Sequence, residues 1–179
     1  TDSSNAQCGP YAEDHNYMTE ADDLATTFAC AAKPGSEGNG IEMVANAMEV
    51  AVRKDLGGAG QCNEGFIRDD ALLVIVLITD EWDGPGDPEF FGSTGNAMSW
   101  FDTVVNAKGG IAENVVVVSL VHTPGCPPTD GFLSGDLAPF TALFGPNGFI
   151  GCITDDYGAI FTEATGIIST ACENFMPPG

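Results

Sequence analysis

At 179 residues, 44% of them apolar, the chain is long enough for one ordinary domain with a real core, and its composition is neither disordered nor membranous. Five basic residues stand against 26 acidic ones, a net charge of −21 spread along the whole chain; such a surface repels nucleic acid and anionic lipid and attracts cations. The longest apolar run, Leu72 to Ile78, is far short of the roughly 20 residues a membrane span needs.

The first twenty residues are polar and irregular, with no basic or apolar signal region, so an exported protein would carry them in processed or truncated form. A short helix is expected from Asp22 to Ala32, with Leu24, Phe28 and Ala31 on one face. Lys33 to Gly40 reads as a loop. In the following helix Ile41, Val44, Ala45, Met48 and Val52 share a stripe, Arg53 and Lys54 suit the last turn, and Gly57-Gly58 end it. Leu72-Leu-Val-Ile-Val-Leu-Ile-Thr79 is apolar everywhere but its last position, which predicts a strand in the middle of a parallel sheet with both faces covered. The loop after it carries Asp80, Glu81, Asp83 and Asp87.

A helix with Met98, Phe101, Val104 and Val105 inward leads to Gly109-Gly110, and Val115 to Val121 forms a second buried strand. A short helix near Leu137–Phe144 precedes a third strand over Phe149–Ile153. The last helix, about Tyr157 to Phe175, is expected to bury Ile160, Phe161, Ala164, Ile167, Ile168 and Ala171. With no repeat or linker this is one domain. Its alternation of strands and helices implies an α/β fold, a doubly wound, mainly parallel sheet flanked by helices, in which ligands bind beyond the carboxyl ends of the strands.

Asp80 stands at that edge. A hard cation, Mg²⁺ or Ca²⁺, takes oxygen ligands from several converging loops. Asp80, Glu81 and Asp83 supply one loop, and the stretch from Ser36 to Glu42 should reach the same edge, because the helix after it runs antiparallel to the strand. The bland alternative is that these carboxylates are solvated loop residues or helix caps. Trp82 and Trp100, with Phe90 and Phe91, could line a recognition surface beside them, although Trp100, on the helix, is expected to be buried.

Gly35-Ser-Glu-Gly-Asn-Gly-Ile-Glu42, the run from Gly65 through Leu72–Thr79 to Asp80-Glu-Trp-Asp83, Asn114-Val-Val-Val-Val-Ser-Leu and Cys152-Ile-Thr-Asp-Asp-Tyr157 together resemble the von Willebrand factor type A fold, in particular its bacterial surface and secreted members. The resemblance implies a Rossmann-like fold and a metal-ion-dependent adhesion site, in which Mg²⁺ or a similar ion bridges the protein to an acidic group of its ligand. Asp80 matches the aspartate that ends the family's central strand. Counting back from Ala47-Met48, the family's metal-binding threonine falls on Glu42, a carboxylate in place of a hydroxyl. The family's first strand, ending in Asp-x-Ser-x-Ser, is not recognisable here. The resemblance therefore implies a chain incomplete at its N-terminus, or a strand supplied by another chain.

Six cysteines at 8, 30, 62, 126, 152 and 172, with no Cys-x-x-Cys, favour disulfides and an oxidising compartment over zinc. Cys62 and Cys172 fall at the amino edge of the expected sheet, Cys126 and Cys152 at the carboxyl edge. Bridging Cys152 to Cys172 would span a helix of about 18 residues, roughly 25 Å, against a limit of about 7 Å between Cα atoms. The expected pairs are Cys8–Cys30, Cys62–Cys172 and Cys126–Cys152.

Other candidates are weak. His15 and His122 are the two histidines; His122 follows the second strand, where a base, a ligand or an ordinary loop residue could stand. Ser119 lies inside a strand without a Gly-x-Ser-x-Gly elbow, and the glycines at 35, 38 and 40 precede no Lys-Ser/Thr. The sequence thus points to a non-enzymatic, secreted or cell-surface adhesion or protein-interaction module, binding a protein ligand or another copy of itself, with a divalent cation at the carboxyl edge. The alternative is a structural subunit of an extracellular filament or surface layer with a degenerate metal site.

Overall fold

A computed structural model describes residues 7–33, 42–85, 92–127 and 133–177. The chain divides into two compact units, the first made of Thr1–Gly40 with Asp55–Phe66, the second of Ile41–Lys54 with Ile67–Gly179.

In the first unit α1 (Leu24–Ala31) starts at Asp23, whose carboxylate accepts from the Thr26 N–H. The helix forms where its apolar spacing says, but its apolar face is not buried: Phe28 is 63% exposed and Leu24 is also exposed. So few residues offer no layer to cover a helix, and local links hold the described part instead. Cys8 is bonded to Cys30. The Asp22 carboxylate accepts from the Ala12 and Thr19 N–H groups, both at 2.8 Å. The Tyr17 hydroxyl donates to the Glu64 carbonyl at 2.9 Å, and its ring lies between those of His15 and Phe66.

The second unit is the α/β part. It begins with α2 (Val44–Ala51); a single turn, α3 (Lys54–Gly57), then carries the chain into the first unit, and after its return the second unit forms β1 (Leu73–Ile78), α4 (Ala97–Ala107), β2 (Val115–Val121), α5 (Leu137–Ala142), β3 (Gly148–Cys152) and α6 (Tyr157–Glu173). The three strands are parallel, in the order β1-β2-β3, with Leu73 opposite Val115 and Val117 opposite Gly148. Side chains alternate across the strands, so β2 feeds two cores. On one face Val115, Val117 and Val121 pack with Ala45, Met48 and Val52 of α2, Trp100, Val104 and Ala107 of α4, and Leu137 and Phe140 of α5. On the other, Val116, Val118 and Leu120 pack with Ile160, Ala164 and Ala171 of α6. Helices thus flank both faces of a parallel sheet. Met98 and Phe161, expected inside, are exposed at the margins of α4 and α6.

The all-apolar stretch from Leu72 is not the middle of the sheet. β2 is, every residue buried, while β1 is the rim. Ile75 and Leu77 enter the first core, but Val74, Val76 and Ile78 are 37%, 45% and 48% exposed on the face that α6 covers over β2. An unbroken apolar run shows that both faces avoid water, and it does not say which neighbours are present to cover them.

Cys126, in the loop after β2, is bonded to Cys152, the last residue of β3, with 5.7 Å between their Cα atoms. The third expected pair, Cys62–Cys172, is not formed. Both are free, exposed thiols, Cys62 in the first unit and Cys172 in the last turns of α6. No helix among the described residues is long and apolar enough to cross a membrane.

Candidate functional site

The carboxyl edge of β1 gathers the acidic residues that the sequence singles out, and they play different parts. Asp83 is fully buried, and both oxygens of its carboxylate are engaged by protein donors. Oδ2 accepts from the Ala45 N–H at 2.8 Å and the Ser93 hydroxyl at 2.9 Å, and Oδ1 accepts from the Ser93 N–H. Ala45 is in the first turn of α2, whose leading N–H groups have no partner within the helix. Asp83 therefore caps α2 from a distance, with the favourable sign for a helix N-terminus.

The main chain of Asp83 is committed as well. Its carbonyl accepts from the Asp136 N–H at 2.8 Å, and Asp83 forms a parallel bridge with Gly135. Two glycines make this crowding feasible. A Cβ on Gly135, at φ +60°, would overlap the Asp83 carbonyl, and one on Gly92 would sit 2.7 Å from Asp83 Oδ1. Asp83 thus fastens α2, the segment before α4 and the start of α5 into one knot. Asp136 extends it, its carboxylate accepting from the Ala97 N–H at 3.2 Å.

Glu42 lies at the same edge. Its Oε2 accepts from the hydroxyl of Thr79 at 2.8 Å, and that hydroxyl oxygen accepts from the Glu81 N–H at 3.1 Å. Thr79 is buried, so its hydroxyl needs these partners, while the Glu42 side chain stays exposed. Asp80 is exposed, and Glu81 is half-buried. Trp82 is half-buried with its indole close over Gly135. Ser36, Asp87, Phe90 and Phe91 lie outside the described residues. The edge thus brings Glu42 and Thr79 together beside Asp80 and Glu81, but turns Asp83 into the interior. Among the described residues no three or more His, Cys, Asp or Glu side chains are grouped to hold a metal ion.

His122 is buried, its carbonyl accepting from the Ser134 N–H at 2.9 Å. The Ser119 hydroxyl pairs with that of Thr141 at 2.6 Å, which in turn donates to the Leu137 carbonyl. These contacts stitch α5 to β2.

Two features escaped the sequence. The first is Lys108, just past the end of α4, which is buried rather than solvated. Its Nζ donates to the carbonyls of Arg68 and Ala71, the latter at 2.7 Å, and lies 5.9 Å from the centre of the Phe175 ring. Burial lowers its pKa, against the attraction of Asp69 and Asp70. The preceding helix signals only a cation suited to a C-terminus, so nothing in the sequence marks this residue.

The second is the rim of β1. The Thr79 N–H donates to the Leu120 carbonyl, so odd-numbered positions of β1 face β2. Alternation turns the N–H and C=O groups of Val74, Val76 and Ile78 outward, toward an edge at which no described strand pairs. Against known proteins the chain matches no family model, no curated protein and no solved structure.

Proposed function

We propose that the chain is an extracellular protein-interaction module of the von Willebrand factor A-like, doubly wound type, and that it docks its partner through the rim of the sheet at β1. The observation that carries this is the combination at β1 of outward backbone groups and three bare apolar side chains, Val74, Val76 and Ile78. Exposed apolar sheet edges are templates for pairing, and proteins ordinarily blunt them with charge, proline or a covering element. Here the strand itself carries none of these.

Other observations support the same reading. The β-α-β-α-β-α order of the second unit and the Thr79-Asp80-Glu81 sequence at the end of a parallel strand are what the family resemblance implies. Two disulfides suit an oxidising compartment. The reading does not require a cation: the buried Asp83 carboxylate is engaged by three protein donors, so an ion at this edge would rest on Asp80, Glu81 and Glu42. The Ser119 hydroxyl, paired with that of Thr141 in the core, has no part in this reading.

Site-specific photo-crosslinking tests the proposal. A photoreactive side chain at position 76, in protein produced by its own cells, should capture a distinct protein neighbour. The same group in place of Asp102, exposed on α4, should not. Equal capture from both positions, or none from position 76, overturns docking through the rim.

A further inference from the structure

A groove of about 470 Å³ lies beside the amino end of β3, the strand furthest from β1. Glu163, Gly166, Thr170 and Asn174 line it at three- and four-residue steps, so they share one face of α6 and its end, about 16 Å long at 1.5 Å per residue. Glu113 and the turn Gly145–Asn147 form the opposite wall. Both walls are tied to one short segment. The Asn147 amide donates to the Glu113 and Val115 carbonyls at 3.0 and 3.1 Å. Asn114, fully buried, exchanges hydrogen bonds with the main chain of Met176, just past the helix. The folded chain therefore sets the shape of the groove before any occupant arrives.

The side-chain donors of the lining are engaged within the protein. The Thr170 hydroxyl donates to the Gly166 carbonyl at 3.0 Å, and the Asn174 amide to the Thr170 carbonyl at 2.8 Å, while the Asn147 amide serves Glu113 and Val115. What is left is acceptors. The Glu113 and Glu163 carboxylates are exposed and have no cationic partner among the described residues, and the Asn147 and Asn174 amides leave their Oδ1 atoms. The last carbonyls of α6 add the negative end of the helix dipole. Pro146, Ile167 and Ala171 supply apolar surface.

Gly166 points the same way independently. It stands in the interior of a 17-residue helix, where glycine weakens the helix relative to alanine. A Cβ there would meet no atom within 4 Å, so packing does not call for glycine. Its effect is to keep the floor of the groove clear.

An occupant that matches this lining carries donors without acceptors, on an apolar stem. A polypeptide does not match. Each of its N–H groups comes with a carbonyl, so a segment of this chain or of another would set carbonyls against carboxylates and amide oxygens. A linear aliphatic polyamine does match, since its ammonium groups only donate and its methylene runs are apolar. We infer that the groove binds a linear polyamine lengthwise along α6, its ammonium groups meeting Glu113 and Glu163 and its methylene run passing over Gly166.

Calorimetric titration of the full chain with spermidine tests this. At about 0.15 M salt, diffuse attraction to a surface of net charge −21 is screened, and a single saturable site should remain. Exposed ion pairs are individually weak, so both are removed together: Glu113→Gln with Glu163→Gln should weaken binding about 10-fold or more. Asp102→Asn with Asp155→Asn removes the same charge from exposed positions outside the groove, and should change affinity less than about twofold. Trilysine, of the same net charge as spermidine, should bind at least about 10-fold less tightly because its carbonyls find no donors.

Gly166→Met keeps every charge and fills the floor. It should weaken binding about 10-fold or more while melting no lower than the native chain, because the helix gains a better former in open space. If that variant fails to fold, the paired glutamine variant decides. Absence of saturable heat up to millimolar spermidine, equal weakening by the two paired variants, or full binding by folded Gly166→Met overturns the inference. Trilysine binding as tightly as spermidine also overturns it, in favour of a basic peptide.

Discussion

Replacing Asp83 by alanine distinguishes a distant helix cap from a metal ligand. The substitution leaves the Ala45 and Ser93 N–H groups without acceptors in a site with no exposure, and frees the Ser93 hydroxyl. A buried donor left unpaired costs about 1–3 kcal/mol, and the hydroxyl can rotate toward another partner. Counting the two N–H groups gives a loss of about 4 kcal/mol. At roughly 2–4 °C per kcal/mol for a chain of this length, the melting temperature should fall by about 8–16 °C. Asp83→Asn should fall between alanine and the native residue, since an amide keeps one acceptor for Ser93 but turns an NH₂ group toward Ala45 or Ser93. The assay is calorimetric melting in EDTA and again in millimolar Ca²⁺ or Mg²⁺. Equal losses in both media support the cap. A loss that appears only with cation present, or a melting temperature within about 2 °C of the native chain, refutes it.

Lys108→Met should destabilise the chain by about 1–3 kcal/mol, because the Arg68 and Ala71 carbonyls lose their donor; denaturant unfolding reads this. The same variant isolates a pH effect. Burial lowers the Lys108 pKa in the folded chain, so between that value and the ordinary 10.5 the unfolded chain binds more protons. Native stability should therefore gain a rising component with pH across that window, absent from Lys108→Met. Gly135→Ala should melt well below the native chain, since a Cβ at φ +60° would meet the Asp83 carbonyl; a loss under about 1 kcal/mol would dismantle the knot described here. Cys30→Ala should release the first unit, where the disulfide closes a separation of 22 residues, a constraint worth about 3 kcal/mol. Limited proteolysis should then cut faster within residues 7–33 while the sheet stays protected, and unchanged cleavage there would refute the dependence on the bridge.

Much of the sheet unit was legible in the sequence because its signals are local. The spacing of Ala45, Met48 and Val52 marks the buried stripe of α2, and the valine run at 115–118 marks a strand dry on both faces. The Thr79 stop places the acidic loop at the carboxyl edge. Around Asp83 the signal is not local. Asp80, Glu81 and Asp83 are equivalent as text, and what separates them is a pair of donors 38 and 10 residues away, Ala45 and Ser93.

By itself, then, the sequence determined the order of elements, the α/β class and the acidic surface, since these follow from hydrophobic period, turn residues and charge count. Tertiary structure alone decided that Leu73–Ile78 lies at the rim while Val115–Val121 lies in the middle, two stretches of nearly the same composition. It also decided that Asp83 and Lys108 are interior groups with their partners in place. Burial belongs to the neighbours a residue acquires on folding, and those neighbours come from parts of the chain that no local pattern links.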